Sequence, residues 1–309
     1  MTKGTLKMKF SKGFGNNMFQ YCFGRLLAEY HGLNYSHDAI SELGIKKQNY
    51  SYNKNLKTVK FKAKSNLEAK KYDKDHKKWF APEYNNHNFD FYSFIFYFED
   101  YRLYKPYIDK IRLWFPYVKK TNSEDLVLHF RLYNRLVWET HYKNFIKPKV
   151  YRETIASNFK FKRLFIVTDS DKWCHITKKD VDKIKSKVKV EYARNPTSFI
   201  SADKSIDYMN GLVDSLKEFE PILHHSSNMI DDFNFIRSFS QIMFKNSTFA
   251  WWAAFLSEAS KVGVFGPWKP GKGKKKNRNL GKSDFPGWFS WGSSEDLLVE
   301  IKEENKHEN

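Results

Sequence analysis

Four short stretches of this chain carry the residue types that handle phosphates or move protons. His129-Phe130-Arg131 sets an imidazole beside a guanidinium. An arginine there can form paired hydrogen bonds to a phosphate, and the histidine can orient it or do acid–base work. Thr168-Asp169-Ser170-Asp171 places two carboxylates two residues apart, a spacing that suits a divalent cation against a diphosphate or an Asp-rich turn leading into a helix. Asn246-Ser247-Thr248 supplies N-cap residues ahead of the apolar run from Phe249 to Leu256. A helix starting there aims several backbone N–H groups at one spot, which suits a phosphate and equally describes an ordinary capped core helix. Gly13-Phe14-Gly15-Asn16 lets backbone approach a ligand closely. It is not a dinucleotide fingerprint, because Met18 occupies the third glycine position, and it lacks the lysine of a P-loop.

These groups need elements to hold them. Leu6–Phe10 reads as a strand, residues 12–17 as a Gly-rich turn, and Met18–His31 as a helix with apolar residues at helical spacing. Residues 40–90 are weakly patterned and read as an insertion, with one alternating strand at Val59–Ala63. Tyr92–Phe115 is helical with a break at Pro106, and 118–124 reads as a linker. Strands are expected at Leu126–Phe130, Leu164–Thr168, Val188–Tyr192, near Met229, at Gln241–Phe244 and at Val262–Phe265. Helices are expected at Ile206–Phe219, Phe233–Phe239 and Thr248–Ser260. Strands alternating with helices predict an α/β fold with parallel, doubly wound sheets. His129, Asp169 and Ser247 then fall at or just past strand ends, on the rim where such folds bind ligands.

A formal net charge of +19 attracts anions such as nucleotide-sugar phosphates, nucleic acids or anionic membranes. No nucleic-acid module accompanies it, so no specific nucleic-acid partner is expected. Lys269–Arg278 is the densest basic block and reads as an exposed loop, open to solvent or to peripheral contact with an anionic membrane. The two cysteines, Cys22 and Cys174, argue against a disulfide framework and a zinc site. Lys3, Lys7 and Lys9 interrupt any signal-peptide core, and no apolar run reaches transmembrane length. A cytoplasmic protein is expected.

Taken together, five segments in order resemble one family. Phe14–Tyr21 is similar to G-L-G-N-Q-M/L-F-Q-Y, Phe98–Tyr104 to F-Q-D-Y-R-Y/L-F and His129–Asn134 to H-x-R-R-x-D. Phe165–Cys174 is similar to F-S-D-D-x-x-W-C, and Asn246–Leu256 to N-S-S/T-F-S-W-W-A/G-A-W-L. The chain thereby resembles the GDP-fucose-dependent α-1,2-fucosyltransferases, glycosyltransferase family 11. The resemblance implies a GT-B-like arrangement, two Rossmann-like domains with parallel sheets facing a cleft. It implies an inverting transfer of fucose from GDP-fucose to a glycan hydroxyl, with no metal or other cofactor. An acceptor-side domain over 1–122, a nucleotide-sugar domain over 123–290 and a C-terminal helix or tail over 291–309 follow from it.

Under this reading Arg131, with His129 and Asp169, is catalytic. The substrate-binding set is Gly13, Gly15, Asn16, Gln20, Asn134, Arg135, Asp171, Asn246, Ser247, Thr248 and Phe249. His129, Asp169 and Asp171 stand as alternative bases. Leu132 occupies the position of the second family arginine, and Asn134 that of the aspartate. These departures keep two alternatives open: another GDP- or nucleotide-sugar donor, or an inactive glycan-binding homologue. A bacterial or viral origin is expected in preference to a Golgi-resident enzyme.

Overall fold

Leu6 and Met8 alternate with Lys7 in strand β1 (Thr5–Met8), and both apolar side chains are buried. In this computed structural model, residues 3–11, 13–61, 76–91, 97–142, 145–170, 173–191, 199–245, 247–265 and 284–291 are described. β1 pairs in parallel with β2 (Asn34–His37) and β4 (Asn88–Phe91), and β4 pairs with β3 (Thr58–Phe61). The order is β2-β1-β4-β3. The weakly patterned stretch 40–90 therefore supplies two strands of this sheet. Asn88 explains why hydropathy misses it: its Oδ1 accepts from Thr5 N at 2.9 Å and its Nδ2 donates to Asn53 O at 2.8 Å. A fully buried amide ties loop to sheet through polar bonds that an apolar pattern does not register.

The second sheet holds β5 (Asn122–Phe130), β6 (Leu164–Thr168), β7 (Ile222–His224), β8 (Phe239–Phe244), β9 (Lys261–Phe265) and β10 (Trp288–Trp291). All its pairings are parallel, in the order β10-β9-β8-β5-β6-β7. From β5 the chain builds β6 and β7 on one side, then returns to build β8 to β10 on the other. The crevice beyond the carboxyl ends of β5 and β8 is thus the topological switch point, where open α/β sheets bind ligands. β5 already starts at Asn122, inside the expected linker.

Helix α1 (Phe14–His31) begins four residues before Met18, directly after Gly13 at φ 104°, so the Gly-rich turn is the helix entry itself. It ends at Gly32 in the left-handed region, whose N–H reaches back to Ala28 and Glu29 carbonyls. Two short helices, α2 (Tyr101–Tyr104) and α3 (Ile108–Arg112), flank Pro106. They are followed by α4 (Glu139–Tyr142), α5 (Pro148–Asn158), α6 (Lys178–Glu191), α7 (Ala202–Leu216), α8 (Met229–Arg237) and α9 (Thr248–Leu256).

Two expected strands are helices. Val188–Tyr192 falls on α6 through Glu191: Val181 and Val188 are buried seven residues apart, a helical repeat, and Val190 is exposed. The local Lys–Val alternation had mimicked a strand. Met229 opens α8, capped by Asn228, whose side chain accepts from Ile230 N; the strand lies earlier, at Ile222–His224. α8 ends at Arg237 and α9 at Leu256, both short of the expected ends.

One apolar core runs through both halves. Phe19 of α1 lies 5.0 Å from Trp251 and 4.8 Å from Trp252 of α9, ring centre to ring centre, and all three are fully buried. Gly15 presses on the start of α9 so closely that a Cβ would stand 2.6 Å from Phe249 N and Thr248 C. No described helix is long and apolar enough to cross a membrane. The Lys269–Arg278 block and the tail beyond Trp291 lie outside the described residues.

Candidate functional site

β5 ends in His129-Phe130, and Arg131 follows as its first residue outside the sheet. In register, His129 stands beside Val167 of β6 and Phe244 of β8, at the switch point. Asp169 is the first residue past β6. Its Oδ1 accepts from Leu132 N at 2.6 Å and Tyr133 N at 3.0 Å, and its Oδ2 lies 3.9 Å from Arg131 Nε. The carboxylate therefore fixes the turn that carries Arg131. Burial raises its pKa, opposed by those two amides and by Arg131 and Arg135.

His129 is buried against Phe249, with ring centres 5.7 Å apart. Burial, aided by Arg131 and Arg135, pulls its pKa to about 3. It is a neutral imidazole at physiological pH and too weak a base to draw a proton from a hydroxyl.

Past β8, Ser247 caps α9 by accepting from Ala250 N at 3.3 Å. The first-turn amides of an α-helix have no intrahelical partner, so α9 presents N–H groups and the positive end of its dipole here. Thr248 Oγ1 donates to Asn16 Oδ1 at 3.3 Å, joining α9 to the first turn of α1. Phe14, Phe233 and Phe249 pack together, with ring centres 5.0–5.7 Å apart, and join α1, α8 and α9.

His129, Arg131, Asp169, the start of α9 and the start of α1 line one cavity of about 350 Å³. Nine of the sequence-predicted residues are on its wall: Gly13, Gly15, Asn16, His129, Arg131, Asp169, Ser247, Thr248 and Phe249. Arg135 lines a smaller cavity next to it. Gln20 is not on either wall. It is fully buried, and its Oε1 accepts from Ser11 N at 2.8 Å and Ser11 Oγ at 3.1 Å, so it shapes the glycine loop from behind. Asn134 is buried in a one-turn helix and also stays off both walls. Asp171 and Asn246 lie outside the described residues. Among the described residues, no cluster of three His, Cys, Asp or Glu side chains could hold a metal ion.

The sequence reading missed Asp232. It lies in the first turn of α8 and faces the same cavity. Burial raises its pKa to about 6. His224 Nε2 stands 3.3 Å from its Oδ1, an ion-pair distance without hydrogen-bond alignment. An acid in the first turn of a helix is ordinary by sequence; its place after β7, near the rim of the sheet, was the available signal.

No protein-family model and no curated protein sequence matches the chain. Its backbone is similar to the crystal structure of selenomethionine fucosyltransferase NodZ from Bradyrhizobium, at 11% identity and a TM-score of 0.44, covering 88% of this chain and 97% of that one. It is also similar to NodZ α-1,6-fucosyltransferase soaked with GDP-fucose, at 12% identity and a TM-score of 0.42, covering 85% and 95%. The same α-1,6-fucosyltransferase co-crystallised with GDP gives 10% identity and a TM-score of 0.43, covering 86% and 96%.

Proposed function

We propose that this chain is a glycosyltransferase that moves fucose from GDP-fucose to a glycan hydroxyl, with inversion and in α-1,2 linkage, without a metal. One observation carries the reading: Arg131, His129 and the amino end of α9 line a single cavity at a topological switch point. That arrangement suits a nucleotide diphosphate. As the bond from the sugar to the β-phosphate breaks, charge builds on the departing diphosphate. Arg131 and the α9 amides stabilise that charge without reorganising, commonly the largest catalytic effect.

Asp169 acts by holding the Arg131 turn. Asp232 is the acceptor suited to guanine, whose N1–H and N2–H₂ form a paired donor edge that a carboxylate matches. Gly13, Gly15 and Asn16 bring the first half, residues 1–122, to the cavity, and this half receives the acceptor glycan. Nucleotide release measured with GDP-fucose, GDP-mannose, GDP-rhamnose and UDP-sugars tests the proposal. GDP-fucose should be consumed fastest. Faster use of another donor transfers the assignment to that sugar, and glycan binding without turnover of any donor leaves a binding protein.

A further inference from the structure

A smaller cavity of about 40 Å³ adjoins the first, and His129 and Arg131 line both. The rest of its wall brings in Arg135, from the turn after β5, and Lys245, one residue past β8. The strand register explains the convergence. His129 pairs with Phe244, so Lys245 leaves the sheet beside the start of the Arg131 turn. The space admits a water or a phosphate oxygen, not a sugar or a base. Lys245 Nζ lies 5.0 Å from the ring centre of Phe265 and 5.9 Å from that of Phe145, so the amine sits among aromatic rings. Leu132, beside Arg131, turns into the core and offers no charge.

We infer that this cavity receives an oxygen of the donor's β-phosphate, and that Lys245 is the side chain by which the protein tells a nucleoside diphosphate from a monophosphate. The inference rests on the nucleotide-sugar reading above. Burial and the like charge of Arg135 hold the Lys245 amine well below the usual lysine range. Among the described residues, the other titratable or charged groups on this cavity's wall are His129, Arg131, Arg135, His141, Tyr151 and Tyr208. His129 is held neutral, and burial pushes the Tyr151 phenol up, so neither is a counter-ion for the amine. An arriving diphosphate supplies negative charge and shifts the amine back toward its usual range. Binding is therefore coupled to proton uptake, and affinity falls as pH rises through the lowered amine value.

Titration calorimetry on the full chain with GDP, GMP and inorganic pyrophosphate, in two buffers of different ionisation heat, tests this. At a pH near or above the lowered amine value, wild type should take up a fraction of a proton with GDP. Lys245→Met should weaken GDP by about tenfold or more, the scale of one hydrogen bond to a charged group, and GMP by less than about twofold. Lys245→Arg should restore GDP affinity. Equal losses for GDP and GMP in a folded Lys245→Met, or no loss for either, overturn the inference. If that variant does not fold, absence of proton uptake by wild type overturns it, and uptake lost in Lys245→Arg supports it. Lys245-dependent binding of pyrophosphate without any binding of GDP would sink the nucleotide reading and leave the anion site standing. GDP binding indifferent to Lys245 would do the reverse, and binding of neither ligand would sink both.

Discussion

Arg131 keeps a partly exposed guanidinium at the mouth of the sheet, and its orientation is set by a neighbour's carboxylate. Arg131→Ala should lower turnover about 10²-fold or more, the scale for losing one charge-stabilising donor, as read by donor consumption at saturating substrate. Asp232 makes a prediction with a sign. Its pKa of about 6 means that the carboxylate takes up a proton as pH falls through that value. GDP affinity should then drop below about pH 6, and Asp232→Asn should abolish that pH dependence along with selectivity for GDP over IDP. Stability runs the other way. The native chain binds this proton more tightly than the unfolded chain, whose aspartates titrate near about 3.9, so the contribution is full below that value and lost as pH rises through about 6. Asp232→Asn should therefore unfold at higher denaturant than wild type above pH 6 while binding nucleotide worse. At this scale the sequence singled out Arg131, Ser247 and Asn16, which the fold brings to one cavity, because cations, caps and glycine turns announce themselves by type. Gln20 misled, since an amide beside a glycine loop looks the same whether it faces a ligand or, as here, the loop's own backbone. Asp232 stayed hidden because its partners come from a strand and a cavity wall, not from neighbours in the chain.

The decisive element contact is α1 against α9. Gly15→Ala would place a methyl group 2.6 Å from backbone atoms of Thr248 and Phe249, which cannot swing aside as a side-chain tip can. Overpacking of this kind is destabilising by about 1–3 kcal/mol. The gain in helix propensity from glycine to alanine is at most about 1 kcal/mol. Net destabilisation is expected, with loss of GDP binding, because the same shift moves the α9 amides; denaturant melts and calorimetry on one variant check both. β5, β6, β8 and β9 were readable because buried parallel strands are short apolar runs, whereas β7 was expected near Met229 and β10 was not expected. The α6 helix was not readable: a lysine-rich surface helix shows its two buried valines at a seven-residue interval, while four adjacent residues mimic an alternating strand. β4 was unreadable for a different reason, since Asn88 fixes it through bonds to residues far away in sequence.

For the molecule as a whole, the sequence suggested two units with a boundary near residue 122, and each half does own a sheet. Yet Phe19 and Tyr104 from the first half and Trp251, Trp252 and Phe255 from the second belong to one core. Each aromatic pair there adds about 0.5–1.5 kcal/mol beyond its burial. The halves should accordingly melt in a single calorimetric transition, and residues 1–122 expressed alone should stay unfolded by circular dichroism. The division near residue 122 came from the family resemblance; the shared core left no sign in the sequence, because helix-to-helix packing leaves no periodic trace in either segment.

Gly15 has a mechanical consequence as well. With two helices in close backbone contact at the lip of the cleft, this seam resists a swing of one sheet against the other. Little relative movement of the two sheets is then expected on ligand entry and exit. Small-angle scattering should give superimposable profiles with and without saturating GDP, and a contraction on adding nucleotide would mean that this lock can slide.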